Sequence, residues 1–146
     1  GPAMIEGGGL GVVAPDDVGP IGVQAANGVV DVVVAGEVEA TAMARRLLGY
    51  FQGPSEFEAP DQASLRDEVP ERARRAYHVA PIVETLADAG SVTFLRERFA
   101  PGMVTALARI EGRPLGILAN DTMHLAGAIK HQMEGHKELQ RMGIGR

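Results

Sequence analysis

The strongest periodic pattern in the chain runs from Glu37 to Gln52. Apolar and small residues recur there at the spacing of one helix face: Ala40, Ala44, Leu47, Leu48 and Phe51. Acidic residues lie near the start of the segment and arginines nearer its end, as the helix dipole favours, and Gly53-Pro54 follows. We predict an amphipathic helix that packs through this apolar stripe.

Valines dominate the segment that precedes this helix. The pair Asn27-Gly28 is a signal for a two-residue hairpin turn, so we predict strand structure from Val23 to Val34. The part after the turn suits a strand buried on both faces. Asp31 interrupts it, either as a catalytic carboxylate or as an edge residue that bonds a neighbouring backbone amide.

Further strands are predicted in the second half of the chain. Ser91–Phe99 begins with an alternating pattern, and Met103–Ile110 and Leu115–Ala119 are more regular. Glu111–Pro114 is a tight connection, which predicts an antiparallel hairpin. Short helical segments are predicted at Pro2–Glu6, Asp61–Glu68 and Ile82–Ala89.

Residues 54–75 differ in character from the segments on either side. Apolar residues thin out, and prolines recur at 54, 60 and 70. This composition predicts a linker. It ends in an arginine cluster that reads either as an anion-binding site or as solvated linker charge: Arg72, Arg74 and Arg75.

Composition excludes several classes of function. The net charge of −5 and the absence of a long Lys/Arg run do not support binding to nucleic acid or to an anionic membrane. The chain has no Cys, so disulfides, thiol catalysis and cysteine zinc sites are excluded. No stretch reaches the roughly 18–20 apolar residues needed to span a bilayer. These features fit a cytoplasmic protein.

Motifs for phosphate or metal binding are also unsupported. The glycines at 7–9 lack the spacing and the lysine of nucleotide-binding loops. His131 and His136 are five residues apart and do not share a helix face, and no carboxylate triad accompanies His124. We therefore expect no metal. The tail Lys130–Arg146 is polar and helix-prone.

Longer motifs resemble a known enzyme family. Gly1–Gly11 reads GPAMIEGGGLG, and Phe99–Asn120 reads FAPGMVTALARIEGRPLGILAN, followed by HLAGAI at 124–129. In order and spacing over residues 1–129, these segments resemble the carboxyltransferase (beta) subunits of biotin-dependent acyl-CoA carboxylases. The chain is similar to a central fragment of such a subunit.

This resemblance implies an α/β, crotonase-like (ClpP/crotonase) fold, present in part. It implies the end of the N-terminal carboxyltransferase half at 1–53, a linker at 54–78 and the start of the C-terminal half at 79–129. The tail 130–146 does not resemble the helix expected there, and its origin is unclear.

In the family, carboxybiotin donates a carboxyl group to the α-carbon of an acyl-CoA of the acetyl or propionyl class. Backbone amides form two oxyanion holes there, one for the enolate of the acyl thioester and one for the biotin ureido oxygen. Both oxyanion segments lie outside this chain, so its catalytic residues are unknown.

The resemblance places substrate-binding residues only at the periphery of the site. Gly1 and Pro2 would lie beside the first hole, and Asn120, Ala126 and Gly127 near the biotin side; turn geometry and packing are the alternative explanation for all five. The implied cofactor is biotin on a partner carrier protein. The implied partners are acyl-CoA, biotin carboxyl carrier and biotin carboxylase subunits, and further copies in a homo-oligomer.

Two other functions remain open at this point. A crotonase-type enoyl-CoA hydratase or isomerase would need acidic residues at the thioester, and only Glu6 is near the candidate oxyanion region. A truncated fragment that is inactive, or that serves only in assembly, is the second alternative.

Overall fold

The computed structural model describes residues 1–72 and 75–127. Its helices are α1 (Pro2–Gly7), α2 (Ile21–Ala26), α3 (Glu37–Gly49), α4 (Leu65–Glu68) and α5 (Ala80–Leu86). Its strands are β1 (Thr93–Leu95), β2 (Met103–Ile110) and β3 (Arg113–Asn120). The helices predicted at α1, α3, α4 and α5 are confirmed, and so are the three strands of the second half.

The strands form one antiparallel sheet in the order β1-β2-β3. The β2-β3 hairpin turns at Glu111 and Gly112, whose φ angles of 51° and 74° are both left-handed, as a two-residue hairpin with the twist of its strands requires. Strand β3 starts two residues earlier than predicted. It includes Pro114, which lies opposite Arg109.

A buried carboxylate fixes this turn. Asp88 accepts hydrogen bonds from the backbone amides of Glu111 and Gly112, both at 2.8 Å, and its own amide donates to the carbonyl of Arg109 at 2.8 Å. The start of the linker lies against the same turn, because the amide of Ser55 donates to the Gly112 carbonyl. A Cβ atom at Gly112 would lie 2.0 Å from the Ser55 oxygen, so only glycine fits there.

Helix α3 attaches to the sheet through its polar flank. The Arg46 guanidinium donates to Thr93 Oγ1 at 2.5 Å and to two carbonyls of the Gly90–Val92 segment at 2.7 and 2.6 Å. The Tyr50 hydroxyl donates to a carbonyl of the same segment and lies 2.8 Å from Thr93 Oγ1. These contacts fix the rotation of α3 about its own axis.

Arg109 of β2 secures the end of this helix. Its guanidinium donates to the carbonyls of Gly49 and Gly53 at 2.6 and 2.9 Å and to that of Gly112 at 2.6 Å. It also lies over the Tyr50 ring, 5.6 Å from the centroid. The last carbonyls of a helix have no partner within the helix, so Arg109 supplies one and joins α3 to the hairpin.

The apolar stripe of α3 does not pack as predicted. Leu48 is 63% exposed and Phe51 81% exposed, and Ala40 and Ala44 are also exposed. The cause is the orientation set by Arg46 and Tyr50, which face the sheet: Leu47 between them is half-buried, while Ala40, Ala44 and Leu48 face away. The helix itself is confirmed, although it ends at Gly49, before Phe51; its expected packing face is wrong for all of the stripe except Leu47 in the described part of the chain.

The hairpin predicted for Val23–Val34 is also wrong. Ile21–Ala26 is helical, and Asn27-Gly28 ends that helix instead of joining two strands. The amides of Val29 and Val30 donate back to the Gln24 carbonyl, and Asn27 Oδ1 accepts from the Val29 amide, so local bonds replace a strand ladder. Residues 29–34 form no strand.

Asp31 pairs with an arginine, not with a neighbouring amide. Its carboxylate accepts from Arg96 Nε at 2.7 Å, and its carbonyl accepts from the Arg96 amide at 2.7 Å. Both side chains are about half exposed. The pair joins the segment before α3 to the end of β1, and the arginine gives Asp31 a structural role.

The apolar core of the described residues is small. The buried apolar residues are Ala25, Tyr50, Val83, Ala87, Ala106 and Ala108, four of which are alanines. Burying alanine removes little apolar surface from water. The hydrogen bonds of Arg46 and Arg109 therefore carry much of the cohesion between α3 and the sheet.

Candidate functional site

The loop that follows β3 gathers three of the predicted site residues. Asn120 is the last residue of the strand, and its Nδ2 donates to the Gly127 carbonyl at 2.6 Å. This bond closes the Asn120–Gly127 loop, with Ala126 beside its end. The structure thus brings Asn120, Ala126 and Gly127 together in one loop, and their predicted position near the biotin side stays a prediction.

The end of this loop has an unusual backbone. Leu125, Ala126 and Gly127 have φ angles of 48°, 53° and 81°, all in the left-handed region. For residues other than glycine this conformation is uncommon and costs roughly 1–3 kcal/mol, and such residues cluster at functional sites. The surrounding loop must hold Leu125 and Ala126 in place.

Asp121 supplies part of that support. Its buried carboxylate accepts hydrogen bonds from the amides of Met123 at 2.8 Å and Val79 at 3.4 Å and lies 3.2 Å from His78 Nδ1. Burial alone would raise the pKa of Asp121, but these hydrogen bonds and the charge of His78 together hold the pKa below its ordinary value. Asp121 is therefore ionised at neutral pH and holds its donors firmly.

A second link ties the end of the linker to the loop. The Tyr77 amide donates to Thr122 Oγ1 at 2.9 Å, and Thr122 Oγ1 donates to the Tyr77 carbonyl at 2.9 Å. Sequence reasoning missed Asp121 and Thr122. The available signal was two polar side chains close after a predicted strand; except for Met123, the partners of these two side chains lie more than 40 residues away in sequence.

The loop before β2 completes the surroundings. The Asp121 amide donates to the Gly102 carbonyl at 3.0 Å. A Cβ atom at Gly102 would lie 2.9 Å from His124 Cδ2, so any larger residue would displace the imidazole. His124 therefore has a packing role against Gly102.

Gly1 and Pro2 lie in a separate segment. Gly1 caps α1, and Pro2 takes the first helical position, where its missing amide costs nothing. The backbone hydrogen bonds of this segment all join residues between Gly1 and Leu10. No hydrogen bond between the described residues joins Gly1 or Pro2 to the Asn120–Gly127 loop, and their predicted role stays a prediction.

Other candidate chemistry receives no support. Within residues 1–72 and 75–127, no three His, Cys, Asp or Glu side chains come together as a metal site. His131, His136 and the rest of the predicted 130–146 tail lie outside the described residues, as does Arg74 of the arginine cluster. No helix of the described segments is long and apolar enough to cross a bilayer.

Comparison with known proteins identifies the class. Residues 9–142 match the family model described as the carboxyl transferase domain. A beta6 subunit of a biotin-dependent acetyl-/propionyl-coenzyme A carboxylase from Mycobacterium tuberculosis is 38% identical over 73% of this chain and 24% of its own length. A propionyl-CoA carboxylase beta chain from Roseobacter denitrificans is 32% identical over 69% of this chain and 22% of its own.

Solved structures agree. A single-chain, multi-domain long-chain acyl-CoA carboxylase superposes with a TM-score of 0.84 and 50% identity over 89% of this chain and 13% of that chain. A transcarboxylase 12S structure, described as a hexamer with methylmalonyl-coenzyme A bound, superposes with a TM-score of 0.68. The two sequences are 26% identical, and the match covers 89% of this chain and 28% of that chain.

This chain belongs to the carboxyl transferase domain family. Its fold is part of the crotonase-like α/β carboxyltransferase fold, and the chain spans about a quarter of the length of the curated relatives. The acyl-CoA carboxylase beta subunits that the motifs resemble are among these relatives, so the predicted family is confirmed. Nothing in these likenesses favours the hydratase or isomerase.

Proposed function

We propose that the longer polypeptide of which this chain forms a part transfers a carboxyl group from carboxybiotin to the α-carbon of an acyl-CoA of the acetyl or propionyl class. One observation carries the proposal: residues 9–142 match the carboxyl transferase domain, and the same region superposes on a long-chain acyl-CoA carboxylase at 50% identity. The 146 residues alone form an inactive piece of that enzyme.

The domain boundaries belong to this proposal. Residues 1–53 close the N-terminal carboxyltransferase half, 54–78 link the halves, and 79–129 open the C-terminal half. The bonds from Tyr77 to Thr122 and from Val79 to Asp121 support a joint at the end of the linker. They fasten the entry of the second half to the Asn120–Gly127 loop.

Biotin, when bound on its carrier protein, would supply an activated carboxyl group, and the uncharged polar surface of the Asn120–Gly127 loop is compatible with its uncharged ureido ring. The side-chain amide of Asn120 and the backbone amide of Gly127 donate within the loop, to the carbonyls of Gly127 and His124, so they fix the shape of the loop. We assign the Asn120–Gly127 loop to the periphery of the biotin side, where it orients the ring. Preorganised N–H donors elsewhere in the fold would stabilise the developing negative charge, at several kcal/mol each.

The proposed partners follow from the same relatives. We assign to the complete enzyme a biotin carboxyl carrier protein, a biotin carboxylase subunit and further copies of itself. The relatives' names include biotin-dependent beta subunits, and one related structure is hexameric. We also propose a cytoplasmic location, a role in fatty acid metabolism and chemistry without a resident metal.

The test is a carboxyl-transfer assay on the complete polypeptide, run in both directions. Forward transfer uses carboxylated biotin and propionyl-CoA, and reverse transfer uses methylmalonyl-CoA and free biotin. We expect heat-sensitive transfer in both directions and no hydration of a short enoyl-CoA. Hydration without carboxyl transfer would overturn the proposal in favour of a hydratase.

A further inference from the structure

Three separate segments of the chain meet at Asp121. Its Oδ1 accepts a hydrogen bond from the Met123 amide at 2.8 Å, inside the loop that follows β3. Its Oδ2 accepts from the Val79 amide at 3.4 Å and lies 3.2 Å from His78 Nδ1, around the end of the linker. Its own amide donates to the Gly102 carbonyl at 3.0 Å, in the loop before β2. One buried residue therefore joins the linker end, the loop and the segment before β2.

Thr122 repeats part of this connection one position later. Its hydroxyl accepts from the Tyr77 amide and donates to the Tyr77 carbonyl, both at 2.9 Å. Together with Asp121 it contacts three consecutive residues, 77–79. Two adjacent polar side chains thus fix the start of the loop to one short segment at the end of the linker.

The far end of the loop depends on this support. Leu125 and Ala126 have left-handed φ angles of 48° and 53°, and such a conformation costs roughly 1–3 kcal/mol for each residue. The His124 amide donates to the Asp121 carbonyl at 3.3 Å, and the Gly127 amide donates to the His124 carbonyl at 2.9 Å. These bonds run from Asp121 to the strained turn, so a shift of Asp121 would be passed on to the turn.

A second buried aspartate lies at the other end of the same hairpin. Asp88 and Asp121 are each 6% exposed, and each accepts hydrogen bonds from two backbone amides. Asp88 holds the turn at Glu111 and Gly112, and the strands between the two ends are each 8 residues, or roughly 25 Å, long. Asp88 therefore provides a matched comparison that separates a local effect on the loop from a general loss of stability.

We propose that Asp121 and Thr122 are positioning residues for the biotin side of the carboxyl-transfer site. They couple residues 77–79 to the turn at Leu125–Gly127, so that the loop presents one conformation to the biotin ring. Neither side chain contacts the reacting atoms; each acts through the loop. This inference rests on the proposed function, because that proposal assigns the Asn120–Gly127 loop to the biotin side.

Reverse carboxyl transfer by the complete polypeptide tests this role, with methylmalonyl-CoA and free biotin as substrates. Asp121→Asn keeps the shape of the side chain but replaces one acceptor by a donor, and Thr122→Val removes the hydroxyl. Both variants should raise the KM for biotin, Asp121→Asn on the order of tenfold, because a small misplacement of a binding group impairs the bound geometry. The KM for methylmalonyl-CoA should stay within about twofold of the parent value.

Asp88→Asn is the control, since it alters an equally buried aspartate at the other end of the hairpin. It should lower stability and leave both KM values within about twofold of the parent. An unchanged KM for biotin in Asp121→Asn and Thr122→Val would overturn the proposal. An equal rise in both KM values, or an equal rise in Asp88→Asn, would overturn it as well, because either result indicates general destabilisation.

Hydrogen exchange separates failure of this inference from failure of the proposed function, because it needs no carboxyl transfer. In the complete polypeptide, Asp121→Asn should speed amide exchange at both 77–79 and 123–127, whereas Asp88→Asn should speed it at 111–112. This pattern in a polypeptide without activity would overturn the proposed function while supporting the coupling. Faster exchange at 123–127 without a change at 77–79 would overturn the coupling itself.

Discussion

The side-chain amide of Asn120 and the carbonyl of Gly127 lie 2.6 Å apart, and their hydrogen bond closes the loop after β3. The bond holds the last strand residue against a backbone that turns through three successive left-handed residues. Both positions were named from a family motif, and the structure shows a physical reason for their pairing.

Removing this bond should loosen the loop. Asn120→Ala should lower the free energy of unfolding by about 1 kcal/mol, the ordinary net value of one hydrogen bond, and should speed amide exchange at Leu125–Gly127. Hydrogen exchange measured by mass spectrometry checks this. Asn27→Ala is the control, since Asn27 also makes a local side-chain hydrogen bond, accepting from the Val29 amide, but lies in another segment. Equal exchange at 125–127 in both variants would contradict the role of Asn120.

Gly127 should resist substitution for two reasons. Its φ of 81° strains any residue with a Cβ, and that Cβ would lie 3.2 Å from Asn120 Nδ2. We expect Gly127→Ala to cost about 1–2 kcal/mol in urea unfolding. Gly116→Ala, at a strand glycine with open space around it, should cost less. A reversed order would show that the loop tolerates change.

Asp88 should matter more than an exposed aspartate with similar bonds. Asp88→Ala leaves the amides of Glu111 and Gly112, the second of them buried, without their acceptor, at roughly 2–3 kcal/mol. Asp61→Ala removes an exposed bond to the Ala63 amide and should cost within about 1 kcal/mol. Urea unfolding of both variants measures the difference, and equal losses would contradict a special role for Asp88.

Sequence reasoning succeeded where local pattern decides structure. The α3 periodicity and the β2-β3 hairpin depend on neighbours in sequence, and both are confirmed. The hairpin predicted at Asn27-Gly28 is wrong because the same dipeptide can also end a helix, and the preceding Ile21–Ala26 segment is helical. A local sequence signal does not distinguish a turn that joins two strands from a turn that ends a helix.

Most of the features that could not be predicted from the sequence depend on polar contacts between residues far apart in the chain. Arg46 contacts Thr93, and Tyr77 contacts Thr122, each pair more than 40 residues apart. No spacing rule identifies such partners. The same limit hid the outward direction of the α3 stripe, because Arg46 and Tyr50 decide that direction. The motif around Asn120 carried the site prediction instead.

The lowered pKa of Asp121 predicts a pH dependence of stability. A carboxyl whose folded-state pKa lies below its ordinary value of 3.8 stabilises the protein fully above that value. This contribution is lost as the pH falls toward the lowered pKa. Asp121→Asn should therefore be less stable than the parent chain at pH 7, and the gap should narrow as the pH falls below about 4.

Unfolding free energies measured by urea titration between pH 7 and pH 3 test this directly. His78→Gln is the companion variant, because it removes one partner of Asp121 and keeps the bond from the Met123 amide. His78→Gln should also be less stable than the parent chain at pH 7, but its loss of unfolding free energy should be smaller than that of Asp121→Asn. A gap that does not change with pH would contradict ionisation of Asp121 as its cause.

The central claim is that this chain is an incomplete part of a biotin-dependent carboxyltransferase, and a paired activity measurement tests it most directly. Carboxyl transfer from carboxybiotin to propionyl-CoA, and in reverse from methylmalonyl-CoA to free biotin, is assayed for the 146-residue chain and for the complete polypeptide. Losing a single oxyanion donor already costs about 10²–10³ in rate, and we predict from the family resemblance that both oxyanion holes lie outside these 146 residues. We predict heat-sensitive turnover only for the complete polypeptide. Turnover by the 146 residues alone, or its absence from the complete protein, would contradict the account.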